Sequence, residues 1–472
     1  MLLNQIVVSI CILVFFRVFF WPASKKWLLF VLSLIAIYWF QTPSPIRTLS
    51  FWLPTIILVL SVITWKLIAF REKSLITDDY IALILILGFP FLFSLLKNIG
   101  FSEISFILNT PQLIYLLLIP GILFLGLNLI GKKTNNQSFL AVFLIGILVI
   151  FLIVLKSQAL SRYLSAIIRQ LSGQATALAS SVDLAWVGFS YFAFRLIHVL
   201  VDRERIKKLS LSLRDFVTYL IYFPAITAGP IDRIEHFNGD LTKVDESLPN
   251  EDFIEGGLRI IRGLFQKFIL ADSLALISLN SQMANSVTKA GWMWLVLYAY
   301  AFRIYFDFSG YTDIAIGMSR LASVNLPENF KRPYLSKSIT MFWNNWHITL
   351  TQWFRTYYFN PVTRFFRSNY KKTSPSLIIF FTQITTMVLI GLWHGISWNF
   401  VVWGLWNGIG LFIHNRWSEK VKPRLSFIQD KRFSIPYYIV SVIFTFNFVA
   451  LGWVWFSLPS IKQSLLVFSK LF

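Results

Sequence analysis

The stretch SFLAVFLIGILVIFLIVLK at residues 138–156 contains a single charged residue, Lys156, and that residue stands at its end. A helix of about 20 consecutive apolar residues is long enough to cross the hydrocarbon core of a bilayer, so the stretch predicts a transmembrane helix. The pattern as a whole predicts an all-α, polytopic transmembrane protein of about 11 spans. The apolar runs that carry this prediction lie at 2–20, 27–41, 51–70, 79–97, 111–131, 138–156, 177–200, 211–229, 253–285, 289–322, 376–412 and 436–458.

The composition of the 472 residues agrees with a membrane protein, because 56% are hydrophobic and only 14% are charged. Soluble domains carry about 25% charged residues, so the lipid bilayer is the expected surrounding. The net charge is +21, yet the basic residues cluster in short loops between the apolar runs. Since neither a basic stripe nor a nucleic-acid-reading module occurs, the sequence excludes nucleic acid as a partner.

Basic residues mark alternate loops between the apolar runs. Cytoplasmic loops carry an excess of Lys and Arg, so the alternation places these loops in the cytoplasm and the N-terminus outside. We therefore expect a multi-pass protein of the plasma or inner membrane, whose first apolar run is a transmembrane helix. The marking residues are Lys25 with Lys26, Arg71 with Lys73, Lys132 with Lys133, and Arg203, Arg205, Lys207 and Lys208.

The segment 157–176 departs from this alternation because it carries Arg162 and Arg169 on the predicted outer side. Its apolar residues recur at i, i+3, i+4 and i+7, which is the spacing of one helix face. The spacing predicts a helix lying on the outer surface.

One histidine stands alone inside an apolar run. His394 lies in VLIGLWHGISWNFVVWGLWNG at 388–408 and is the only ionisable side chain between Lys372 and His414. An isolated ionisable group in a membrane segment indicates function, and histidine is the usual general base near neutral pH. The alternative is a core histidine with satisfied hydrogen bonds. His394 is the candidate catalytic residue, and Trp393 beside it is a candidate substrate contact.

A second histidine follows a cluster of tryptophans in PENFKRPYLSKSITMFWNNWHITLTQWFRTYYFNP at 327–361. The tryptophans recur at helical offsets from His347, which becomes the second candidate catalytic residue. Asn344, Trp346 and Arg355 are candidate substrate-binding residues. An interfacial helix with an aromatic belt has a similar composition, and the block taken alone favours that interpretation.

The segment FPAITAGPIDR at 223–233 ends an apolar run with proline, glycine and two charges. Proline and glycine break helices and open backbone groups, while charges near the membrane are costly and often functional. Asp232 and Arg233 are therefore candidate substrate-binding residues. A loop cap with a local ion pair explains them equally well.

Two carboxylates interrupt the apolar run RIYFDFSGYTDIAIGMSR at 303–320. Asp307 and Asp313 are too costly to face lipid, so each is expected to face a cavity or a partner. Arg303 precedes Asp307 by four residues, which puts the two on one helix face. Asp307 is a candidate substrate-binding residue, with a structural ion pair as the alternative.

The sequence predicts neither a metal site nor a tightly bound cofactor. A third Asp, Glu or His at ligand spacing does not accompany His347 and His394, and Cys11 is the single cysteine. The motifs of serine hydrolases, P-loops and dinucleotide-binding folds are also missing from the sequence.

Taken together and in their order along the chain, these sequence segments resemble the membrane-bound O-acyltransferase (MBOAT) family. They are most similar to its bacterial branch, which contains the membrane subunits of alginate O-acetylation and teichoic-acid D-alanylation. The resemblance covers about 210–458. It implies N-terminal transmembrane helices at 1–209, a catalytic core at 210–458 and a short apolar tail at 459–472. The blocks that carry it are GPIDR at 229–233, YFDFSGYTDIAIG at 305–317, PENFKRPYLSKSITMFWNNWHITLTQWFR at 327–355, GLWHGISWNFVVWG at 391–404 and LGWVWF at 451–456.

The resemblance implies a helical core with re-entrant or interfacial helices around a central tunnel, where donor and acceptor meet from opposite faces. It assigns the catalytic base to His394 and makes His347 the second residue of the site. On chemical grounds we expect His347 to stabilise the developing oxyanion or to position the donor. The implied donor is an acyl thioester, acyl-CoA or an acyl carrier, used as a co-substrate, with acetyl as the expected group. The implied acceptor is a hydroxyl of a cell-surface glycan, and the implied partner is a secreted SGNH-type transferase.

Two departures from the alginate branch leave the acceptor and the partner surface open. Arg355 is followed by Thr356 where that branch usually has an Arg-Asp pair, and NPVTRFFR at 360–367 replaces an expected Gly-Gly-Asn-Arg turn. Two other classes of protein also stay open. One is a transporter or flippase of envelope precursors without acyl chemistry, and the other is a structural membrane scaffold.

Overall fold

The computed structural model describes residues 2–19, 25–69, 76–99, 110–116, 118, 120–122, 137–243, 250–425 and 434–472. Across these ranges the regular structure is helical, without a β-strand, and one isolated antiparallel bridge joins Phe330 to Trp346. The all-α prediction is therefore confirmed. Most of the predicted span at 111–131 and the basic loops at 71–73 and 132–133 lie outside the described residues.

The α-helices are numbered here in chain order. They are α1 (Leu3–Phe19), α2 (Lys25–Trp39), α3 (Leu49–Ala69), α4 (Thr77–Asn98), α5 (Leu113–Leu116), α6 (Gln137–Lys156), α7 (Gln158–Leu171), α8 (Phe189–Val201), α9 (Arg203–Ile206), α10 (Leu213–Ile221), α11 (Ile234–Lys243), α12 (Asn250–Leu264), α13 (Asp272–Ala275), α14 (Ser281–Ser286), α15 (Ala290–Leu321), α16 (Ile339–Asn345), α17 (Ile348–Phe354), α18 (Asn360–Asn369), α19 (Pro375–His394), α20 (Trp398–Arg416), α21 (Ser434–Ser457) and α22 (Ile461–Leu471). Single π-helical turns occupy Phe265–Ala271, Arg355–Phe359 and Trp417–Val421.

The helices divide into two compact units. The first unit contains residues 1–258 and 315–326, and the second contains 259–314 and 327–472. Helices α12 and α15 contribute residues to both.

Five of the described helices are long and apolar enough to cross a membrane, namely α3, α4, α6, α19 and α21. The helix predicted at 138–156 is α6, and the run at 289–322 is a single helix, α15. A helical membrane protein is thereby confirmed, whereas the count of about 11 spans stays a prediction.

The predicted apolar runs at 177–200 and 211–229 form shorter helices than a span requires. The run at 177–200 contains 3₁₀ turns, and α8 begins only after Gly188, whose φ of 82° no α-helix can contain. The run at 211–229 forms only the nine residues of α10 before a series of turns. Pro224 lies in those turns, where its ring prevents the helix from continuing.

Helix α7 occupies the segment in which an outer-surface helix was expected, but its polar side is the buried one. Arg169 on this helix pairs with Asp183 at 2.9 Å, and both side chains are buried. Tyr163 and Leu171 are 70% and 82% exposed on the other side. An apolar side turned outward fits a helix that lies against lipid.

Helices α19 and α20 form a close antiparallel hairpin in the second unit. A Cβ atom added to Gly391 would lie 2.2 Å from the carbonyl oxygen of Phe400, and one added to Gly404 would lie 2.5 Å from the Cα of Val388. Small residues allow helix backbones to approach this closely. The connection is only three residues long, so His394, the last residue of α19, lies at the tip of the hairpin.

Candidate active site

His394 lies in an aromatic enclosure at the tip of the α19–α20 hairpin. The centroid of its ring is 4.5 Å from that of Trp393, 4.8 Å from Phe456, 5.9 Å from Trp403 and 6.1 Å from Phe400. The histidine itself is half-buried. Apolar walls lower the local dielectric constant, which strengthens every electrostatic interaction of this imidazole with a reacting group.

His347 lies between α16 and α17 and is 2% exposed. Its φ of 43° and ψ of 51° are in the left-handed region, which residues other than glycine rarely adopt. Such a conformation costs on the order of 1–3 kcal/mol and persists only where the surroundings enforce it, often at functional sites. The ring lies edge to face with Phe308 at 4.6 Å.

Asn329 fixes the position of His347 from a neighbouring segment. Its Oδ1 accepts hydrogen bonds from the backbone N–H and the hydroxyl of Thr349, at 3.1 and 2.9 Å, and lies 3.2 Å from Nδ1 of His347. The Asn329 side chain is fully buried. Among the described residues, Nε2 of His347 has no hydrogen-bond partner.

The two histidines contact the same indole ring. The centroid of Trp393 lies 6.1 Å from the ring of His347 and 4.5 Å from the ring of His394. His347 and His394 are 47 positions apart in sequence, yet they share one site with Trp393 within the second unit. The structure thus brings together both candidate catalytic residues and one candidate substrate contact.

Trp346 supports the wall of this site and is almost fully buried. Its ring stacks on Phe342 at 5.4 Å and contacts Trp453 at 5.2 Å. Trp453 in turn contacts Phe456 at 5.3 Å and donates its indole N–H to the hydroxyl of Tyr334 at 3.2 Å. Trp346 therefore packs against Trp453, which packs against Phe456, and the ring of Phe456 contacts His394.

Asn344 and Arg355 join the two short helices on either side of His347. A guanidinium nitrogen of Arg355 donates to Oδ1 of Asn344 at 2.8 Å, and both side chains are exposed. Asn344 belongs to α16, and Arg355 follows α17 directly. A role for the two in binding substrate stays a prediction.

Asp307 meets a cation, but not the one expected from helical spacing. Its half-exposed carboxylate pairs with Lys267, in the π-helical turn that follows α12. Arg303 instead donates to the hydroxyl of Ser278 at 3.0 Å. The partner thus comes from another helix, which spacing within one helix cannot reveal.

Asp313 likewise receives a partner from α12. Arg262 donates two hydrogen bonds to its carboxylate, at 2.7 and 2.8 Å. Helices α12 and α15 approach each other closely at this point. A Cβ atom added to Gly263 would lie only 2.5 Å from the carbonyl oxygen of Gly310. Asp313 therefore has the contacts of a structural ion pair between helices.

Asp232 and Arg233 belong to the first unit, where they take part in a polar cluster of their own. The buried carboxylate of Asp232 lies 2.9 Å from Nδ1 of His236 and accepts the backbone N–H of Arg233 at 2.8 Å. The hydroxyl of Tyr219 donates to the backbone carbonyl of Asp232. Arg195, fully buried, donates to the carbonyl of Tyr219 in the last turn of α10. These contacts are those of a cap that closes a helix end.

Residues 107–458 match the model of the family described as MBOAT, membrane-bound O-acyltransferase. The chain belongs to the membrane-bound O-acyltransferase family. The match extends the resemblance carried by the blocks within 210–458 toward the N-terminus. The MBOAT prediction is therefore confirmed.

Three bacterial relatives are similar to this MBOAT chain. The teichoic acid D-alanyltransferase of Streptococcus thermophilus is 32% identical over 249 residues, covering 51% of this chain and 59% of the relative. The "probable alginate O-acetylase AlgI" of Azotobacter vinelandii is 33% identical over 296 residues, covering 61% and 53%. The peptidoglycan O-acetyltransferase of Helicobacter pylori is 32% identical over 255 residues, covering 54% and 45%. The chain spans about half the length of the curated relatives it matches.

Two residues of this candidate site carry no signal of their own in the sequence. Asn329 and Phe456 lie in blocks where tryptophan and histidine dominate the pattern. An asparagine in a polar turn and a phenylalanine in an apolar helix are both ordinary there. Their contacts with His347 and His394 arise from tertiary structure and become visible only in the fold.

Proposed function

We propose that the protein is an O-acyltransferase that moves a short acyl group, acetyl in the simplest case, from a cytoplasmic thioester to a hydroxyl on the cell surface. The observation that carries the proposal is the pair of histidines on one indole, His347 and His394, in a chain of the MBOAT family. The acyl thioester, acyl-CoA or an acyl carrier, acts as a co-substrate. The protein acts as a multi-pass protein of the plasma or inner membrane.

The names of the relatives support a glycan or glycopolymer as the acceptor. One is named for alginate, one for peptidoglycan and one for teichoic acid. The acyl group passes either directly to such a polymer or to a secreted SGNH-type transferase that completes the modification.

The reaction follows from the chemistry of a thioester and a general base. His394 takes the proton of the acceptor hydroxyl as its oxygen attacks the thioester carbonyl. The tetrahedral intermediate collapses to an ester when the carbon–sulfur bond breaks, and the departing thiolate takes the proton back from the imidazolium. The aromatic rings around the half-buried His394 limit the access of water, which would otherwise hydrolyse the thioester.

The proposal is tested by measuring base-labile ester on cell-envelope glycans in a strain that lacks the native protein. Wild type and His394→Ala are compared at equal membrane abundance, with His236→Gln as a control that removes a half-exposed histidine and keeps a side-chain donor for Asp232. We expect His394→Ala to lose the ester and His236→Gln to retain it. The acid released by base identifies the acyl group.

If the ester persists in His394→Ala, His394 is not the catalytic base. If wild type itself adds no ester to any envelope polymer, acyl transfer is the wrong function, and uptake or export of envelope precursors becomes the next assay.

A further inference from the structure

The hydrogen bonds around Asn329 determine which nitrogen of His347 carries its proton. The backbone N–H of Thr349 can only donate, so the Asn329 atom that it reaches at 3.1 Å is the carbonyl oxygen. The same oxygen accepts the hydroxyl of Thr349. Nδ1 of His347, 3.2 Å from this oxygen, must therefore be the protonated, donating nitrogen. In a neutral imidazole, Nε2 then carries a lone pair and no hydrogen.

The lone pair on Nε2 is unsatisfied within the described part of the chain, although the residue is 2% exposed. Buried polar atoms are nearly always hydrogen-bonded, and an exception calls for a bound group or a functional reason. We infer that Asn329 is a positioning residue, which fixes His347 in the Nδ1–H tautomer so that Nε2 accepts a hydrogen bond from an O–H or N–H of a substrate. That a substrate reaches this atom rests on the proposed function.

The backbone makes this arrangement rigid. Ile348 N–H donates to the carbonyl of Asn329, and Lys331 N–H donates to the carbonyl of Asn345, both at 3.0 Å. These two bonds flank the bridge between Phe330 and Trp346 and tie the two segments together. The two bonds hold the backbone of His347 in its left-handed conformation, while Phe308 and Asn329 contact its ring.

The tautomer also decides between the two roles expected for His347, stabilising the oxyanion and positioning a substrate. An oxyanion is stabilised by donors, and Nε2 in this tautomer has no hydrogen to donate. An acceptor can hold and orient a hydroxyl or an amide N–H instead. His347 therefore positions a substrate and does not stabilise the oxyanion.

The tautomer can be measured without any activity assay. The protein contains five histidines, so ¹⁵N-histidine labelling of the purified full chain in detergent gives few signals, and His347→Gln identifies the one from His347. We expect a neutral Nδ1–H tautomer near neutral pH. A neutral Nε2–H tautomer, or an imidazolium, would overturn the inference.

Three variants separate positioning from simple support of the fold. Asn329→Asp keeps an oxygen for Nδ1–H, Asn329→Leu removes it, and Thr349→Val removes one hydroxyl donor while leaving the histidine contact. We expect ester formation to fall about 10²-fold in Asn329→Leu, and to stay within a few-fold of wild type in the other two. Because a carboxylate stabilises the imidazolium, the ¹⁵N titration of His347 in Asn329→Asp should move to higher pH.

Equal loss of activity in all three variants, or an unmoved titration in Asn329→Asp, would show that Asn329 only supports the fold. The two proposals fail separately. Absence of ester in the wild type, together with the expected tautomer, overturns the acyl transfer and leaves the assignment of Asn329 intact.

Discussion

Gly391 lets the backbones of α19 and α20 meet one turn before His394. A methyl group at this position would lie 2.2 Å from the carbonyl oxygen of Phe400, a backbone atom that no side-chain rotation can move away. Gly391→Ala is therefore expected to lower the thermal unfolding midpoint in detergent and to abolish ester formation by displacing His394. Gly146→Ala in α6 is the matched control, because no described atom lies within 4 Å of the added Cβ.

At position 146 the exchange should be neutral or stabilise the helix by up to about 1 kcal/mol, the usual gain of alanine over glycine in a helix. Equal unfolding midpoints of the two alanine variants would show that the close contact at Gly391 is not required for packing of α19 against α20.

Glu235 makes the stability of the first unit depend on pH. Burial alone would raise the pKa of its carboxyl, but contacts with His198 and Arg205 outweigh burial and lower that pKa to about 2 from 4.5. A carboxyl with a depressed pKa in the folded state contributes stability above about pH 4.5 and loses it as the pH falls toward 2. Chemical unfolding of wild type and Glu235→Gln should therefore differ most near neutral pH and converge in acid. A difference that stays constant from pH 7 to pH 3 would contradict the assignment.

Some residues of the candidate site can be predicted from the sequence and others cannot. His394 can be found from sequence because it is the single ionisable group in a long apolar run. Asn329 cannot, since its importance comes from three hydrogen bonds to residues 18 and 20 positions away. The partner of Asp307 was missed for the same reason, because Lys267 lies 40 positions away on another helix.

Among the elements, α7 depends on an ion pair that is buried on its polar side. Arg169 and Asp183 are both shielded from solvent, with side-chain exposures of 5% and 3%. Removing one partner of a buried pair leaves an uncompensated charge, which costs about 3–5 kcal/mol. Asp183→Ala should therefore lower the free energy of unfolding in detergent by several kcal/mol. As the control, Glu204→Gln breaks the exposed pair with Lys207 and should cost at most about 1 kcal/mol.

An equal, small effect of the Asp183 and Glu204 substitutions would mean that α7 is not held by its charges. In that case, contacts between the apolar side of α7 and lipid would hold the helix in place.

The sequence predicts the bounds of uninterrupted apolar helices, but it does not predict where a helix is interrupted. Apolar length alone locates α3, α4, α6, α15 and α21 to within a few residues. Helical spacing of tryptophans also runs through His347, yet the structure interrupts the helix there. The break is caused by pairing with the segment at 329–331, a tertiary contact that competes with local propensity. The split of 376–412 into α19 and α20 was likewise not visible in hydropathy.

The order of the sequence blocks indicates the family, because several blocks in one order are far more specific than any single histidine. Composition identified the membrane environment. Block order and composition do not predict the division into two units or the turns that shorten α8 and α10. These features depend on tertiary packing around each break in the helices.

The charges at the two ends of the α19–α20 hairpin predict its orientation in the membrane. The end opposite His394 is strongly basic, with one acid, Glu419, in 360–374 and 415–425, whereas the tip at 395–397 is uncharged. The positive-inside rule places the basic end in the cytoplasm, and the 20 residues of α19 extend about 30 Å to the other side. The basic residues are Arg364, Arg367, Lys371, Lys372, Arg416, Lys420, Lys422 and Arg424.

Single cysteines test this orientation in a Cys11→Ser background, which removes the only native thiol. Ile396→Cys at the tip should react with a membrane-impermeant maleimide on intact protoplasts, because that residue is 41% exposed. Lys371→Cys should react only after permeabilisation, since it lies at the basic end. Labelling of both positions from the same side would mean that the hairpin enters and leaves through one face. His394 would then be reached from the cytoplasm, and the acceptor hydroxyl would have to be cytoplasmic as well.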